Sequence, residues 1–214
     1  MPKGRHEVGF AAEGFAVEKA QDPDSLGDDR TDEKLVSVTG FFRTGVSKNV
    51  DIGVRGGFGT VGIGSWAMAQ VDLKLALAQG RVGALALDPT VGLGATNAVP
   101  FLYPHDEEEE EESTMSWSLT PSADLPLLVA LGSEEISFIA SVGPSIRQNS
   151  FYDGDARDKD WTTDPWLVAM RVTTGLSFRV SSKVSMQPEI VYAAPLTAAN
   201  HLRVMAGGIA VTFR

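Results

Sequence analysis

Ala67-Met68-Ala69-Gln70-Val71-Asp72-Leu73-Lys74-Leu75-Ala76-Leu77 sorts its side chains by parity. Ala67, Ala69, Val71, Leu73, Leu75 and Leu77 fall on one side, and Met68, Gln70, Asp72, Lys74 and Ala76 on the other. A helix would scatter those charges around its circumference, whereas a strand turns successive side chains to opposite faces. The stretch therefore reads as a strand whose two faces meet different surroundings. The same split recurs where Trp117, Leu119, Pro121, Ala123, Leu125, Leu127 and Val129 oppose Ser116, Ser118, Thr120, Ser122 and Asp124. It recurs again where Trp166, Val168, Met170, Val172, Leu176 and Phe178 oppose Arg171, Thr173, Ser177 and Arg179.

Extended along the chain, this period predicts ten strands rather than eight or twelve, near residues 6–18, 35–46, 50–60, 66–77, 82–95, 116–130, 136–149, 166–180, 184–194 and 202–213. Short connections fall at Ser47-Lys48-Asn49, Gln79-Gly80-Arg81, Gly132 to Glu135 and Ser181-Ser182-Lys183. They alternate with connections at Ala20 to Lys34, Val61 to Ser65, Asn97 to Met115, Ser150 to Pro165 and Pro195 to His201, most of them long. An even strand count brings both chain ends to the short-turn side. No stretch approaches the roughly 18 apolar residues that a transmembrane helix needs. A soluble sandwich or lipocalin-like barrel shares the alternation, so charge and aromatics have to decide which face meets lipid.

Strand length and alternating connections together resemble the bacterial outer-membrane β-barrels, which pair short periplasmic turns with longer external loops. Gly207-Gly208-Ile209-Ala210-Val211-Thr212-Phe213 is similar to the terminal strand signal of that class, with Gly208, Val211 and Phe213 at the matching positions. Arg214 follows the aromatic where such chains usually stop. The resemblance implies an all-β, antiparallel transmembrane barrel, with residues 1–214 forming a single domain in a Gram-negative outer membrane. It implies insertion by the barrel-assembly machinery, a surround of outer-membrane lipid and lipopolysaccharide, and contact with other envelope proteins. It singles out no functional family.

The polar parity carries Glu7, Glu13, Asp51, Asp72, Asp88, Asp124 and Glu189 with Arg43, Arg55, Lys74, Arg147, Arg171 and Arg179. Seven acids against six bases suit a narrow lumen, where unpaired charge is costly and paired charge tolerable. These residues are expected to form a lumen ionic network that bridges the bore. The apolar parity places Trp117, Trp166 and Tyr192 toward the long connections and Phe42, Phe138, Phe178 and Phe213 toward the short turns, as two membrane girdles would require. Trp66 has no place in that scheme, since its parity sets it among the polar residues of its strand.

Composition removes several functions. The chain has no cysteine, hence no disulfide, thiol catalysis or thiolate metal site. A net charge of −10 with no basic cluster argues against nucleic-acid partners. Met1-Pro2-Lys3-Gly4-Arg5 lacks the apolar core of a signal peptide, so an exported chain is expected to be numbered here in a mature or recombinant form. The glycines between Gly53 and Gly64 lack the helix and the Lys-Ser/Thr of a phosphate loop, and strand packing is their expected role.

Acidity concentrates in three connections, near residues 20–34, 97–115 and 150–165. They carry −4, −7 and −3, together −14 against −10 for the whole chain, which leaves the remainder slightly positive. The run Asp106 to Glu112 repels itself. Such a rim suits solvation, a basic partner, or divalent cations shared with lipopolysaccharide phosphates. Asp153-Gly154-Asp155 and Asp158 lack the rest of a calcium loop, and no metal or cofactor is assigned. His105 beside Asp106, and His201, sit at the rim where some ten-stranded outer-membrane proteases keep Asp and His, but the flanking sequence matches none of them. The expectation is a non-enzymatic barrel with a structural, anchoring or surface-interaction role through its acidic loops. A narrow channel for ions or small solutes is the alternative, and a rim hydrolase the third reading.

Protease added to intact cells is expected to cut within residues 20–34, 97–115 or 150–165. Cleavage at Ser47-Lys48-Asn49 and Ser181-Ser182-Lys183, with the long connections spared, would reverse the orientation.

Overall fold

Every residue of a membrane-spanning wall must find hydrogen-bond partners within the protein, which restricts it to helices or a closed sheet. No helix long and apolar enough to cross a membrane occurs among the described residues. The computed structural model describes residues 4–19, 33–61, 64–98, 116–133, 135–148, 150–152, 161–163, 166–196 and 202–214. They form β1 (His6–Lys19), β2 (Glu33–Ser47), β3 (Val50–Val61), β4 (Gly64–Gln79), β5 (Gly83–Leu87), β6 (Thr90–Ala98), β7 (Ser116–Asp124), β8 (Leu127–Gly132), β9 (Ile136–Arg147), β10 (Ser150–Tyr152), β11 (Trp161–Thr163), β12 (Leu167–Arg179), β13 (Val184–Pro195) and β14 (Leu202–Phe213).

These segments make ten staves. β5 continues into β6, β7 into β8, β9 into β10, and β11 into β12, and every stave pairs antiparallel with the next. The circle closes where β1 meets β14, from Val8 opposite Phe213 to Lys19 opposite Leu202. Two ring contacts flank that closure at the short-turn end: Phe10 against Phe213 at 6.0 Å and His6 stacked on Phe42 at 5.7 Å.

Three of the four short turns carry a serine at their first or second residue. The Ser47 hydroxyl accepts from Asn49 N–H, Ser133 Oγ from Glu135 and Ile136 N–H, and Ser181 Oγ from Lys183 N–H. Each hydroxyl substitutes for a missing ladder partner where the chain reverses.

The wall is inverted relative to a water-soluble protein. Val8, Phe10, Val36, Val38, Val54, Phe58, Val71, Val91, Leu93 and Ile190 are exposed on its outside, while Ser37, Thr39, Asp51, Asp72, Ser145 and Ser185 are buried within. The buried apolar residues among those described are Ala11, Ala86, Val191 and Ala206, too few and too small for a hydrophobic core. Such a surface is stable against hydrocarbon and costly against water.

Two strands expected to run unbroken are interrupted, one at Asp88-Pro89 and the other at Leu125-Pro126. Proline has no N–H to give the ladder. At the same level Leu73 N–H donates to the Pro89 carbonyl, Asp88 N–H to Pro126 and Leu125 N–H to Pro144, each at 2.9–3.0 Å, and the reciprocal bond has no donor. The connection expected at 150–165 is also partly strand, since β10 pairs with both β7 and β11.

Val71 lies in the outward row formed by Val54, Val71, Val91 and Ala123. Val71→Arg is expected to cost about 2–4 kcal/mol if that row faces the bilayer midplane, and Gln70→Arg on the inner face much less. Unfolding by denaturant in lipid vesicles measures both, and equal losses would contradict the assignment of faces.

Candidate functional site

Side chains of the inner face collect in a lumen, and their arrangement is lateral. Arg43 of β2 donates from Nε and Nη2 to Asp72 Oδ2 of β4 at 3.1 and 2.7 Å, and from Nη2 to Asp88 Oδ2 at 3.2 Å. It reaches over β3, where Gly53 stands in register between Arg43 and Asp72. A Cβ on Gly53 would collide with the Asp72 carboxylate, so the glycine is a seat on which that carboxylate lies. The bond therefore follows the wall from stave to stave, whereas the charges were expected to bridge the bore.

Lys74 lies opposite Asp51 across the β3–β4 pair and within electrostatic reach of Arg43, Asp88 and Glu7. Asp51 is only 4% exposed. Glu7 accepts from Arg214 Nε at 2.7 Å. Glu7, Arg43, Asp51, Lys74 and Arg214 line one side of a cavity of about 230 Å³ near the short-turn end, and Ala76, Ala84 and Ala86 line the other. All the groups of this lower set approach one another.

A second set lies farther toward the long connections. Glu13 and Glu189 flank Gly208 in register from the two neighbouring strands, and the Glu13 side chain occupies the space a Cβ at Gly208 would need. Glu13 is within electrostatic reach of Glu189, Arg55 and Arg171. Gln187 donates from Nε2 to Glu189 Oε2 at 3.0 Å. Arg147 shares its surroundings with Arg171 and Asp124. Arg179 stands opposite buried Ser185 on the same inner face. Asp88 Oδ1 and Asp124 Oδ1 are buried and accept no hydrogen bond from the described residues.

On the outer face Phe42, Phe138, Trp166, Tyr192 and Phe213 are exposed and Phe178 is half-buried. Trp117 pairs with Asn97 and Tyr152, but its side chain lies outside the described set. Phe10 and Phe58, at 50% and 68% exposure, join this face although strand ends alone did not mark them. The acidic run Asp106 to Glu112, the acids of 22–32 and 153–160, His105 and His201 all lie outside the described residues.

Trp66 now has an explanation. It pairs with Gly59 in the β3–β4 hairpin, and its indole Nε1 occupies the place of the missing Cβ. A glycine opposite a tryptophan on the polar parity was the available signal. Arg214 was equally readable, since parity carried one residue past Phe213 turns it inward to Glu7.

No family model matches the chain, and no curated protein matches its sequence. Among solved structures, the translocator domain of autotransporter NalP from Neisseria meningitidis aligns with a TM-score of 0.57 at 10% identity, covering 100% of this chain and 89% of that one. Outer membrane protease OmpT from Escherichia coli aligns at 0.53 with 8% identity, covering 97% and 96%. Ail, the attachment invasion locus protein of Yersinia pestis, aligns at 0.47 with 9% identity over 99% and 98%. At these identities the first two alignments show the fold alone, which is that of the bacterial outer-membrane β-barrels, and the apolar outer wall of this chain is the lipid-facing surface such a barrel requires.

Proposed function

We propose that this chain is a non-enzymatic outer-membrane barrel, closed at rest, whose task is structural, anchoring or surface contact, with the acidic connections as its outward surface. The observation that carries the closed state is the Arg43–Asp72–Asp88 charge belt with Arg214–Glu7 beside it, at the short-turn end of the lumen. A ten-stave wall leaves a narrow bore, because eight staves are just filled by side chains and open pores come with sixteen or more. Side chains tied to one another there have little freedom to admit a hydrated ion.

The acidic connections suit basic proteins or shared divalent cations bridging to lipopolysaccharide phosphates, both of which respond to charge more than to shape. A second reading, a narrow conduit for ions or small polar solutes, draws on the charge-lined cavity at the short-turn end.

Purified protein in planar bilayers is expected to give no steady conductance. Reproducible single-channel steps from the unmodified chain would overturn the closed barrel in favour of the conduit. Arg43→Ala is expected to lower stability by about 1.5–3 kcal/mol, the range for hydrogen bonds to charged groups, and Arg43→Lys by less because one donor can be kept. Urea unfolding in vesicles provides the comparison, and identical midpoints for all three proteins would remove Arg43 from the belt.

A further inference from the structure

Charge is sorted along the barrel axis. The three acidic connections carry −14, while the residues assigned to the lumen are close to balance, with seven acids against six bases. The short-turn end has the opposite sign. Lys48, Arg81 and Lys183 stand on three of the four short turns and Arg5 just before β1, and all four are exposed. Among the described residues of those turns the one acid is Glu135. A rim that was merely solvated would need polarity there, but not a single sign of charge.

The cations begin where the apolar wall ends. Lys48 lies two residues beyond outward Val46, and Arg81 adjoins Val82, which is 73% exposed within the turn itself. Lys183 follows exposed Val180 by three residues and directly precedes Val184, which pairs with Phe213. Exposed apolar side chains and exposed cations within a few residues of one another are the composition of a boundary between hydrocarbon and headgroups. Lys and Arg at the ends of a membrane span lay their stems on apolar surface and carry the charge outward. The three turns join β2 to β3, β4 to β5 and β12 to β13, so the cations are spread around the barrel. A leaflet surrounding the barrel meets all of them together with the valines beside them. A protein docked end-on would meet the charges and leave the outward valines aside.

We propose that the short-turn rim is a binding ring for anionic phospholipid, in which Lys48, Arg81 and Lys183, joined by Arg5, gather headgroups of net negative charge from the leaflet at the short turns. Each cation beside an anionic surface favours it by a factor of roughly five at moderate salt. A zwitterionic headgroup carries the same phosphate with an ammonium that offsets it, so the ring selects net charge. The ring lies at the opposite end of the barrel from the acidic connections, and it stands or falls apart from the role given to them above.

The absence of cysteine allows a local test. Val46→Cys and Val36→Cys place a single fluorophore at the two ends of the outward face of β2, the first beside Lys48 and the second toward the long connections. The labelled barrel is inserted in phosphatidylcholine vesicles that contain an equal small fraction of nitroxide-bearing phosphatidylglycerol or nitroxide-bearing phosphatidylcholine. At Val46→Cys the phosphatidylglycerol quencher is expected to be at least about twofold the more effective, and at Val36→Cys no more effective than its counterpart. Lys48→Gln, Arg81→Gln and Lys183→Gln together are expected to bring the ratio at Val46→Cys close to one. Molar salt is expected to do the same to the unsubstituted rim, because it shortens the range of the field to about 3 Å.

Equal quenching by the two lipids at Val46→Cys would overturn the ring and leave the basic rim to an acidic protein partner. A ratio that survives the triple substitution would overturn it as well, since other cations of the chain would then be responsible, and so would an equal preference at Val36→Cys. If the triple variant does not insert, Lys48→Gln alone decides: it is expected to lower the ratio at the neighbouring label, and a ratio unmoved both by that substitution and by molar salt refutes the ring.

Discussion

Backbone hydrogen bonding inside hydrocarbon is the constraint from which this molecule follows. A peptide group left unpaired in lipid costs several kcal/mol, and an open sheet would leave two whole edges of them. Pairing of β1 with β14 removes both edges at once. Strand number, inverted surface and narrow lumen are consequences of closing ten staves. Ring contacts at His6–Phe42 and Phe10–Phe213 lie where the first stave meets its two neighbours, so side-chain contact reinforces the closure at its short-turn end. The same constraint gives the proline level its significance, since an omitted ladder bond is tolerated in water far more easily than within a bilayer.

Charge inside the lumen is organised by the wall. Arg43, Asp72 and Asp88 sit on different staves and meet by running along the sheet, with Gly53 lowered between them. Lateral pairing brings opposite charges of different staves into direct contact, so that removing one partner leaves the other unpaired in a narrow lumen. Pairing along the wall also leaves room for the short-turn cavity among the thirteen expected charges.

Much of the architecture was legible in the sequence because its signal has a period of two and the environment on each face is uniform. Ala67 to Leu77 alone shows which residues meet lipid, and the stave count followed from repeating that reading. The alternation of short and long connections added direction. What escaped was local and depended on residues brought from other strands. Asp88-Pro89 and Leu125-Pro126 look like strand interiors by parity, and only the alignment of their prolines across neighbouring staves reveals a shared break. The lumen charges were assignable to the inner face, but their direction of pairing was not, because sequence does not say which glycine a side chain will lie across. Trp66 was an exception to the pattern until Gly59 was set beside it. The rim residues His105, His201 and Asp106 to Glu112 remain known by sequence alone.

The glycines of the wall fall into two kinds with different genetic consequences. At the outward Gly40 and Gly56, a Cβ would find its nearest neighbour at 4.0 and 3.7 Å, so each position is free to drift alone among small and apolar residues. Inward Gly53 belongs to Asp72 on the next strand, whose carboxylate fills the missing volume, whereas at Gly59 and Gly208 the nearest atoms are the backbone carbonyls of Val36 and Ala12, ahead of the Trp66 and Glu13 side chains. A larger residue at 53 demands a smaller one at 72, while positions 59 and 208 are held to glycine by the backbone itself. Across diverging descendants of this chain positions 53 and 72 should therefore change as a pair and positions 59 and 208 stay glycine, while the lipid-facing glycines vary independently of one another.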